Sequence, residues 1–561
     1  MFLPMTTDEL NRLGWKALDV IIVTGDAYVD SPHVGAALVG KALVKAGFRV
    51  GIVAQPDVNG DRDITRLGEP LLFWGVTAGC TDSLVANYTA SGKKRKSCDF
   101  TPGGVNDKRP DRATIAYSNL IRRFYKNTRP IVLGGVEASL RRVTHYDFLM
   151  GSLRRSVLFD AKADVLVYGM GETTAVELAR RFQAGRDYTD VPGICYAASQ
   201  KPQGFAELPA HAEAAADAGV FEAMFRDFHK AHVEGRGLVQ KIDTRWLVIN
   251  PPPPPPSTRE LDSFYDAGFE RDQHPSYAGL GGVKALDTIR FSLSTHRGCF
   301  GGCRFCAIAF HEGRTVVSRS PESLLNEAAR LSVLPAFTGQ IRDLGGPTAN
   351  MYRMGCERAP EKICVRESCL FPSPCRFLQK SHEPLLALYE KIGGVRKVKA
   401  VTVGSGIRHD LVMADRSFGR EYLYTLAARH VSGLLKVAPE HSEENVLRLM
   451  GKPGPESLLE FSSLFYDFCA DCGKRQYLTH YFMAAHPGCT QENMRSLSVF
   501  CRDTLEIDPR QVQIFTPTPS TFSTLMYVTG KNPKTGEKIF VEKSAKGREA
   551  QKAALTGFRS T

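Results

Sequence analysis

Leu18–Ala54 reads LDVIIVTGDAYVDSPHVGAALVGKALVKAGFRVGIVA. Leu18–Thr24 is an apolar, β-branched run of strand length. His33–Ala46 carries apolar residues at helical spacing and stops at Gly47, a residue that ends helices well because it tolerates left-handed backbone. Phe48–Ala54 is strand-like again. Strand, helix and strand in this order make a β–α–β unit, and such a crossover implies parallel pairing.

The same alternation continues outward. Leu71–Thr77, Pro130–Leu133 and Asp164–Tyr168 read as further strands. The last is followed by Gly169-Met170-Gly171-Glu172 and a helix over Thr173–Phe182. This predicts a doubly wound α/β sheet, with Gly25–Tyr28 and Gly134–Glu137 at the carboxyl ends of strands, where such sheets bind ligands. The run Pro251–Pro256 favours stiff polyproline II and offers no amide donors to a sheet. Beyond it, strands are expected at Phe291–Thr295, Ile341–Leu344, Val398–Val403, Leu434–Val437, Tyr477–Met483 and Val512–Phe515. Between the first two, Ser320 is placed to cap a helix that has Pro321 at its first position. Six strands with intervening helices predict a partial β/α-barrel, open on one side. The expected division is an N-terminal α/β domain over 1–249, a Pro-rich linker over 250–280, a barrel core over 281–528 with a Cys-rich insertion near 353–378, and a basic C-terminal tail over 529–561.

Bulk properties narrow the function classes. The chain has 561 residues, 43% hydrophobic and 24% charged, values of a folded multidomain protein rather than a disordered one. No basic-then-apolar leader opens the sequence, and no apolar run reaches the ~18 residues of a membrane span. A soluble, cytoplasmic protein with no membrane partner is expected. The net charge of +12 is compatible with an anionic partner such as RNA, but it is spread out, with Lys93–Lys96 (KKRK) and the lysine-rich tail as its densest parts. Intracellular cysteines stay reduced. Seven of the fourteen fall between Cys299 and Cys375, which asks for a local cause.

Part of that cause is Ser294–Ala307, STHRGCFGGCRFCA. The spacing Cys299-x3-Cys303-x2-Cys306 follows directly on a strand, and Gly298, Gly301 and Gly302 let the loop turn tightly. Three thiolates can each bind one iron of a [4Fe–4S] cubane, leaving the fourth iron open. A structural zinc site would ask for a fourth ligand. The spacing, with Phe305 before the last cysteine, resembles that of the radical S-adenosylmethionine (SAM) superfamily. In that superfamily SAM chelates the open iron, and an electron from the cluster cleaves it to a 5′-deoxyadenosyl radical.

The resemblance extends along the barrel. Asp343–Tyr352 (DLGGPTANMY) ends the second strand, where radical SAM enzymes carry a Gly-Gly motif that meets the SAM amino group; Gly345 and Gly346 match it, with Pro347 in place of the usual acidic residue. Gly404–Arg408 follows the third strand and Lys436–His441 (KVAPEH) the fourth. These are similar to segments flanking SAM in methylthiotransferase-type relatives, which implies Glu440 as a ribose acceptor and Ser405 and Arg408 as a polar rim. A second group, Cys356, Cys364, Cys369 and Cys375, lies in a proline-containing loop. Four such thiols could close around zinc or an auxiliary iron–sulfur cluster; the alternative is reduced, unligated cysteines.

The texts VTGDAYVDSPH, GVTAG, TPGGVNDKRPDRA, VLGGVEASLRRVTHYDF and ADVLVYG, followed by the triplet and DLGGPTANMY, resemble the YgiQ-like radical SAM family over nearly the whole chain. The resemblance implies a cluster, SAM, a reductant such as flavodoxin or ferredoxin, and an amino-terminal domain similar to cobalamin-binding domains. A cobalamin lower ligand would be expected as Asp-x-His-x-x-Gly. The chain has Asp30-Ser31-Pro32-His33-Val34-Gly35 instead, so cobalamin is not expected and His33 reads as a capping or packing residue. The leading expectation is a radical SAM enzyme with an unidentified substrate. The alternatives are an RNA-modifying methylthiotransferase-like enzyme, and a non-catalytic iron–sulfur sensor or RNA-binding protein in which His296 or another residue closes the fourth iron.

Overall fold

The computed structural model describes residues 1–358, 364 and 366–556. The chain forms two compact units, Met1–Pro254 with Ser263–Arg290, and Pro255–Asp262 with Phe291–Thr561. The division falls within the proline run.

The first unit is built on a nine-stranded sheet. Its strands are β1 (Val20–Thr24), β2 (Val50–Ala54), β3 (Phe73–Thr77), β4 (Ile131–Gly134), β5 (Val165–Val167), β6 (Ile194–Ala198), β7 (Ala206–Leu208), β8 (Leu238–Ile242) and β9 (Arg245–Ile249). The order is β7-β8-β9-β6-β5-β4-β3-β1-β2. From β2 to β5 all neighbours run parallel. The chain leaves β1 toward β2 on one side and returns to β3 on the other, the doubly wound pattern. Strand β1 is buried along its full length, as a central parallel strand covered on both faces must be. The crossover helix Gly35–Lys45 buries Ala36, Ala37, Leu38 and Leu43 and packs on helix Glu172–Gln183. The far edge differs from the expected all-parallel alternation: β6 is antiparallel to β5, and β9 to both β6 and β8. There β8 and β9 form a hairpin through the short link at Asp243–Thr244, while β7 and β8 remain parallel with helices between them.

The second unit contains β10 (Ser292–Ser294), β11 (Gln340–Ile341), β12 (Asp343–Gly345), β13 (Gly355–Cys356), β14 (Leu378–Gln379), β15 (Ala400–Val401), β16 (Leu434–Glu440), β17 (Tyr477–Ala484) and β18 (Gln511–Ile514). Strand β10 pairs in parallel with β12, and β11 with β15. The expected second strand is thus split at Arg342, one part facing the first barrel strand and the other the third. A parallel bridge Ile407↔Val437 leads to β16-β17-β18, also parallel. Six strand positions follow one another in chain order, and among the described residues no ladder joins first to last. This is the partial β/α-barrel. Helix Pro321–Ser332 starts as its sequence implies: Ser320 accepts from the Ser323 amide and Pro321 fills the first turn. Leu293, Leu344, Val401, Leu435 and Val437 meet Leu324, Leu388, Phe461 and Phe465 in the core; burying each aliphatic chain contributes about 1.5–3 kcal/mol. Helix Ala545–Thr556 packs onto the unit, with Gln551 accepting from the Ala485 amide and donating to the Cys489 carbonyl, both at 2.9 Å. No helix among the described residues is long and apolar enough to cross a membrane.

Because the barrel strands are parallel, their carboxyl ends share one rim. The cysteine loop after β10, Gly346 after β12, Gly404–Arg408 after β15 and Glu440 at the end of β16 all occupy that rim.

Candidate metal centre and active site

Cys299, Cys303 and Cys306 are free and half-buried. Their loop is held by its backbone: Cys299 N–H donates to the Gly313 carbonyl (3.1 Å), Cys306 N–H to that of Cys303 (3.1 Å) and Arg304 N–H to that of Met450 (2.9 Å). The Gly301 amide points at the Cys299 sulfur, 3.4 Å away. Burial pushes the Cys299 thiol up to about 11 and the Cys306 thiol up to about 12, with the Arg408 guanidinium opposing the shift at Cys299. Bare, these groups stay protonated at neutral pH, so a bound cation is what would make them thiolates. Among the described residues no three His, Cys, Asp or Glu side chains are gathered around a single ion. Three thiols on one loop suit a cubane, which takes one thiolate at each of three separate irons.

Arg408 brings a positive charge to the sulfurs. Its Nη1 donates to the Cys303 sulfur at 3.3 Å. The same guanidinium holds Asp410 in a two-pronged pair, Nε to Oδ1 at 3.0 Å and Nη2 to Oδ2. The carboxylate that Arg408 suits is therefore supplied by the chain two residues on. Its backbone is fixed by Asn350, which accepts from the Arg408 amide at 3.0 Å and donates to its carbonyl at 3.1 Å.

Ser405 is brought beside Gly345, where an added Cβ would stand 3.2 Å from the Ser405 hydroxyl. Asp343 gathers this turn, accepting from the Gly404 and Ser405 amides at 2.8 and 3.0 Å and from the Ser405 hydroxyl. Asp343 was not singled out from sequence, although it opens the quoted DLGGPTANMY. Gly346 is held to glycine by the His296 ring, whose Nε2 lies 2.7 Å from where a Cβ would be. His296 is fully buried. Its Nδ1 is 2.8 Å from Thr295 Oγ1, which also donates to the Gly345 carbonyl. Both Thr295 bonds form together only if Nδ1 carries the proton, which leaves Nε2 as an acceptor; that atom has no partner among the described residues.

Glu440 ends β16 with a left-handed backbone, φ 71°, a conformation that non-glycine residues rarely hold outside constrained sites. Burial raises its carboxyl to about 7, opposed by Lys452 and Arg408, and it lies within electrostatic range of Cys306. The rim thus brings Arg408, Glu440 and the triplet together, and Gly345 with Ser405. In the metal-free chain, folded Glu440 keeps its proton between the ordinary carboxyl range and about pH 7, while the unfolded chain does not. Stability contributed by this protonation is full at low pH and is lost as pH rises through that window. Glu440→Gln is expected to flatten the dependence, by on the order of 1–2 kcal/mol between about pH 5 and 8. Urea midpoints at the two pH values measure it, and parallel slopes for both chains would contradict the assignment.

The second cysteine group runs from exposed Cys356 through Cys364 and Cys369 to buried Cys375. It is seated on the triplet loop: Cys369 N–H donates to the Phe300 carbonyl (3.1 Å), and Ser368 Oγ donates to the Gly301 carbonyl (2.6 Å).

In the first unit, buried polar groups gather at the carboxyl ends of β1 and β3. Asp26 and Arg109 form a buried pair there. The Cys80 amide donates to Asp26 at 2.6 Å, and Gln55 donates to the Gly25 carbonyl at 3.0 Å. His33 stands 3.3 Å from Ser31 Oγ, a local turn contact.

Comparison with known proteins agrees with this architecture. Residues 2–292 match the family described as Radical SAM N-terminal. A UPF0313 protein of Fusobacterium nucleatum is 48% identical over 100% of this chain and 99% of its own. One of Thermotoga maritima is 47% identical over 98% of each. Among solved structures, the radical SAM methyltransferase TsrM of Kitasatospora setae, with cobalamin and a [4Fe–4S] cluster bound, aligns with a TM-score of 0.52 at 15% identity, over 90% of this chain and 77% of that one. The cobalamin-dependent SAM radical enzyme OxsB, with aqua-cobalamin bound, aligns with a TM-score of 0.51 at 13% identity, over 91% of this chain and 55% of that one. At these identities the likeness is one of fold. The full-length relatives and the matched amino-terminal half establish that the chain belongs to the UPF0313 family and is a radical SAM enzyme.

Proposed function

We propose that Cys299, Cys303 and Cys306 hold a [4Fe–4S] cluster, that SAM binds along the rim formed by Gly345, Gly346, Ser405, Arg408 and Glu440, and that the enzyme starts radical chemistry on a substrate yet to be identified. The observation that carries this reading is the Arg408 guanidinium lying 3.3 Å from the Cys303 sulfur in a three-thiol loop at the carboxyl end of a parallel strand. The donor set fits a cubane with one open iron. When bound and reduced by an outside donor of flavodoxin or ferredoxin type, the cluster supplies the electron that breaks the SAM sulfonium bond.

The chain's own residues supply the setting. Arg408 offsets thiolate charge at Cys303. Neutral His296 presents an acceptor at Nε2 beside Gly346, suited to an ammonium or hydroxyl donor. Glu440, with a carboxyl near neutrality, can accept from a ribose hydroxyl or hold a proton there. Met351, Met354, Phe300 and Leu411 are buried on the Cys299 side of the loop and shield that side from water. The expectation that the chain takes no cobalamin is put in doubt by the cobalamin-bound structures whose fold it shares.

The test is electron paramagnetic resonance of the anaerobically reconstituted, dithionite-reduced protein with and without SAM. A [4Fe–4S]⁺ signal whose g-values shift on adding SAM is the expected result. A signal indifferent to SAM would mean the fourth iron is closed by protein, and the assignment of the rim to SAM would fail.

A further inference from the structure

The Cys-rich insertion is not needed to build the barrel, yet it carries four of the chain's cysteines in a stretch with little regular structure. Among the described residues no helix or strand lies between Cys356 and Leu378. Segments of this length without their own elements are uncommon in folded domains and usually have a function. What orders this one is a set of backbone and side-chain contacts around its cysteines, although among the described residues no three of their sulfurs yet stand together as they would on one ion.

Strands β13 and β14 pair antiparallel, setting Cys356 opposite Leu378. Leu378 N–H donates to the Cys375 carbonyl at 3.0 Å, and Cys375 N–H to the Cys369 carbonyl at 2.8 Å. The ends of the segment and its last two cysteines are therefore folded onto one another. Arg366 ties the loop internally, with Nε on the Ser368 carbonyl (3.2 Å) and Nη2 on that of Ser373 (3.0 Å). Ser368 Oγ accepts from the Leu370 and Phe371 amides at 3.1 and 3.0 Å, which fixes the turn around Cys369. Cys356, Cys364 and Cys375 all lie within electrostatic range of Cys369, as does Arg314, whose Nε is buried with no partner among the described residues.

The amide of Arg358 points at the Cys356 sulfur, 3.4 Å away and two residues on. Gly301 does the same to Cys299, at the same distance and the same sequence offset. Amide donors aimed at sulfur stabilise thiolate and tune thiolate-bound metals. The two cysteine groups thus share one local device.

We propose that Cys356, Cys364, Cys369 and Cys375 form a second metal centre, closed by four thiolates, that fixes the insertion against the Phe300–Gly302 side of the triplet loop. On binding, each thiol releases its proton to solvent as its sulfur bonds the metal. A zinc ion would then leave two net negative charges, within reach of Arg314. The irregular backbone between Cys369 and Cys375 lets the sulfurs draw together. The centre is closed, so it takes no SAM; its role is to supply folding energy that this small hydrophobic cluster cannot. Zinc and an auxiliary iron–sulfur cluster share the tetrathiolate chemistry, and metal analysis separates them.

The inference does not depend on the reading of the triplet, and the experiment keeps them apart. The full chain carrying Cys299→Ala, Cys303→Ala and Cys306→Ala is purified anaerobically and assayed for zinc, iron and acid-labile sulfide. The expected result is about one zinc, or about four irons with matching sulfide, per chain, lost when Cys356→Ser and Cys364→Ser are added. Zinc identifies a mononuclear centre, and iron with sulfide a cluster; either supports the proposal. If the triplet-free chain does not fold, the wild-type chain serves, compared with exposed Cys356→Ser alone: its total should exceed one four-iron cluster and fall in the variant. A wild-type chain with four irons and no zinc, or a metal content unmoved by Cys356→Ser, overturns it.

Discussion

Replacing Cys299, Cys303 and Cys306 together with alanine is expected to reduce SAM cleavage to background, a loss of at least roughly a thousandfold, because in the proposed chemistry the starting electron comes from the cofactor and no side chain can substitute for it. The fold should survive. The three thiols are half-buried on a loop, its backbone is held by the bonds to Gly313 and Met450, and the barrel core is built elsewhere. The readout is 5′-deoxyadenosine formed under dithionite, with far-ultraviolet circular dichroism and the urea midpoint as controls for folding. Full cleavage by the folded triple variant would remove the triplet from the mechanism. The matching substitution of Cys356 and Cys364 should leave SAM-dependent electron paramagnetic resonance in place if the second centre is structural, so the two cysteine groups give opposite spectra.

Replacing Arg408 with methionine is expected to destabilise the chain by about 3–5 kcal/mol, the cost of leaving a buried carboxylate without its partner. Arg408 and Asp410 side chains are 9% and 11% exposed, and the guanidinium holds Asp410 well below the usual carboxylate range. In the wild-type chain that depressed value gives stability that is present above the ordinary carboxyl range and lost as pH falls through the folded value. Without the arginine, burial raises Asp410 instead. The deficit of the variant is therefore largest at neutral pH and shrinks as acid protonates Asp410. Chemical denaturation across pH measures this, and Arg408→Met with Asp410→Asn should recover most of the loss. A second readout separates the role at sulfur from the role in folding: losing a positive charge 3.3 Å from Cys303 should shift the cluster potential to more negative values, and the asparagine rescue, which removes the opposing negative charge but not the lost hydrogen bond to sulfur, should restore it only in part. A variant as stable as wild type, with unmoved potential, would show that Arg408 is neither ion-paired nor coupled to the cluster in solution.

The two arginine effects also show how the rim is organised. One guanidinium joins the loop after the first strand to the turn after the third, and the acid that fixes it comes from its own helix start. Asp343 does the same work at Ser405. The polar groups of this rim are largely bonded to each other, and the acceptor at His296 Nε2, without a partner among the described residues, stands at Gly346, where the Gly-Gly motif ends its strand.

The sequence by itself determined the local elements. Residues Leu18–Ala54 specify strand, helix and strand because apolar spacing of two or 3.6 residues is a property of the backbone, and Gly47 and Ser320 set ends through turn and cap chemistry that spans only a few residues. The cysteine triplet and the six barrel strands were legible for the same reason, since each is a short pattern read in one place. Only the tertiary structure decided the antiparallel edge of the first sheet, where runs such as Arg245–Ile249 carry no mark of direction, and the splitting of the second barrel strand at Arg342. It alone set the His296 ring over Gly346, placed Asp343 beneath Ser405, raised the Glu440 carboxyl by burial, and seated Cys369 on Phe300. Each of these joins residues far apart in the chain or depends on exclusion of water, and neither distance in space nor desolvation is written in local periodicity.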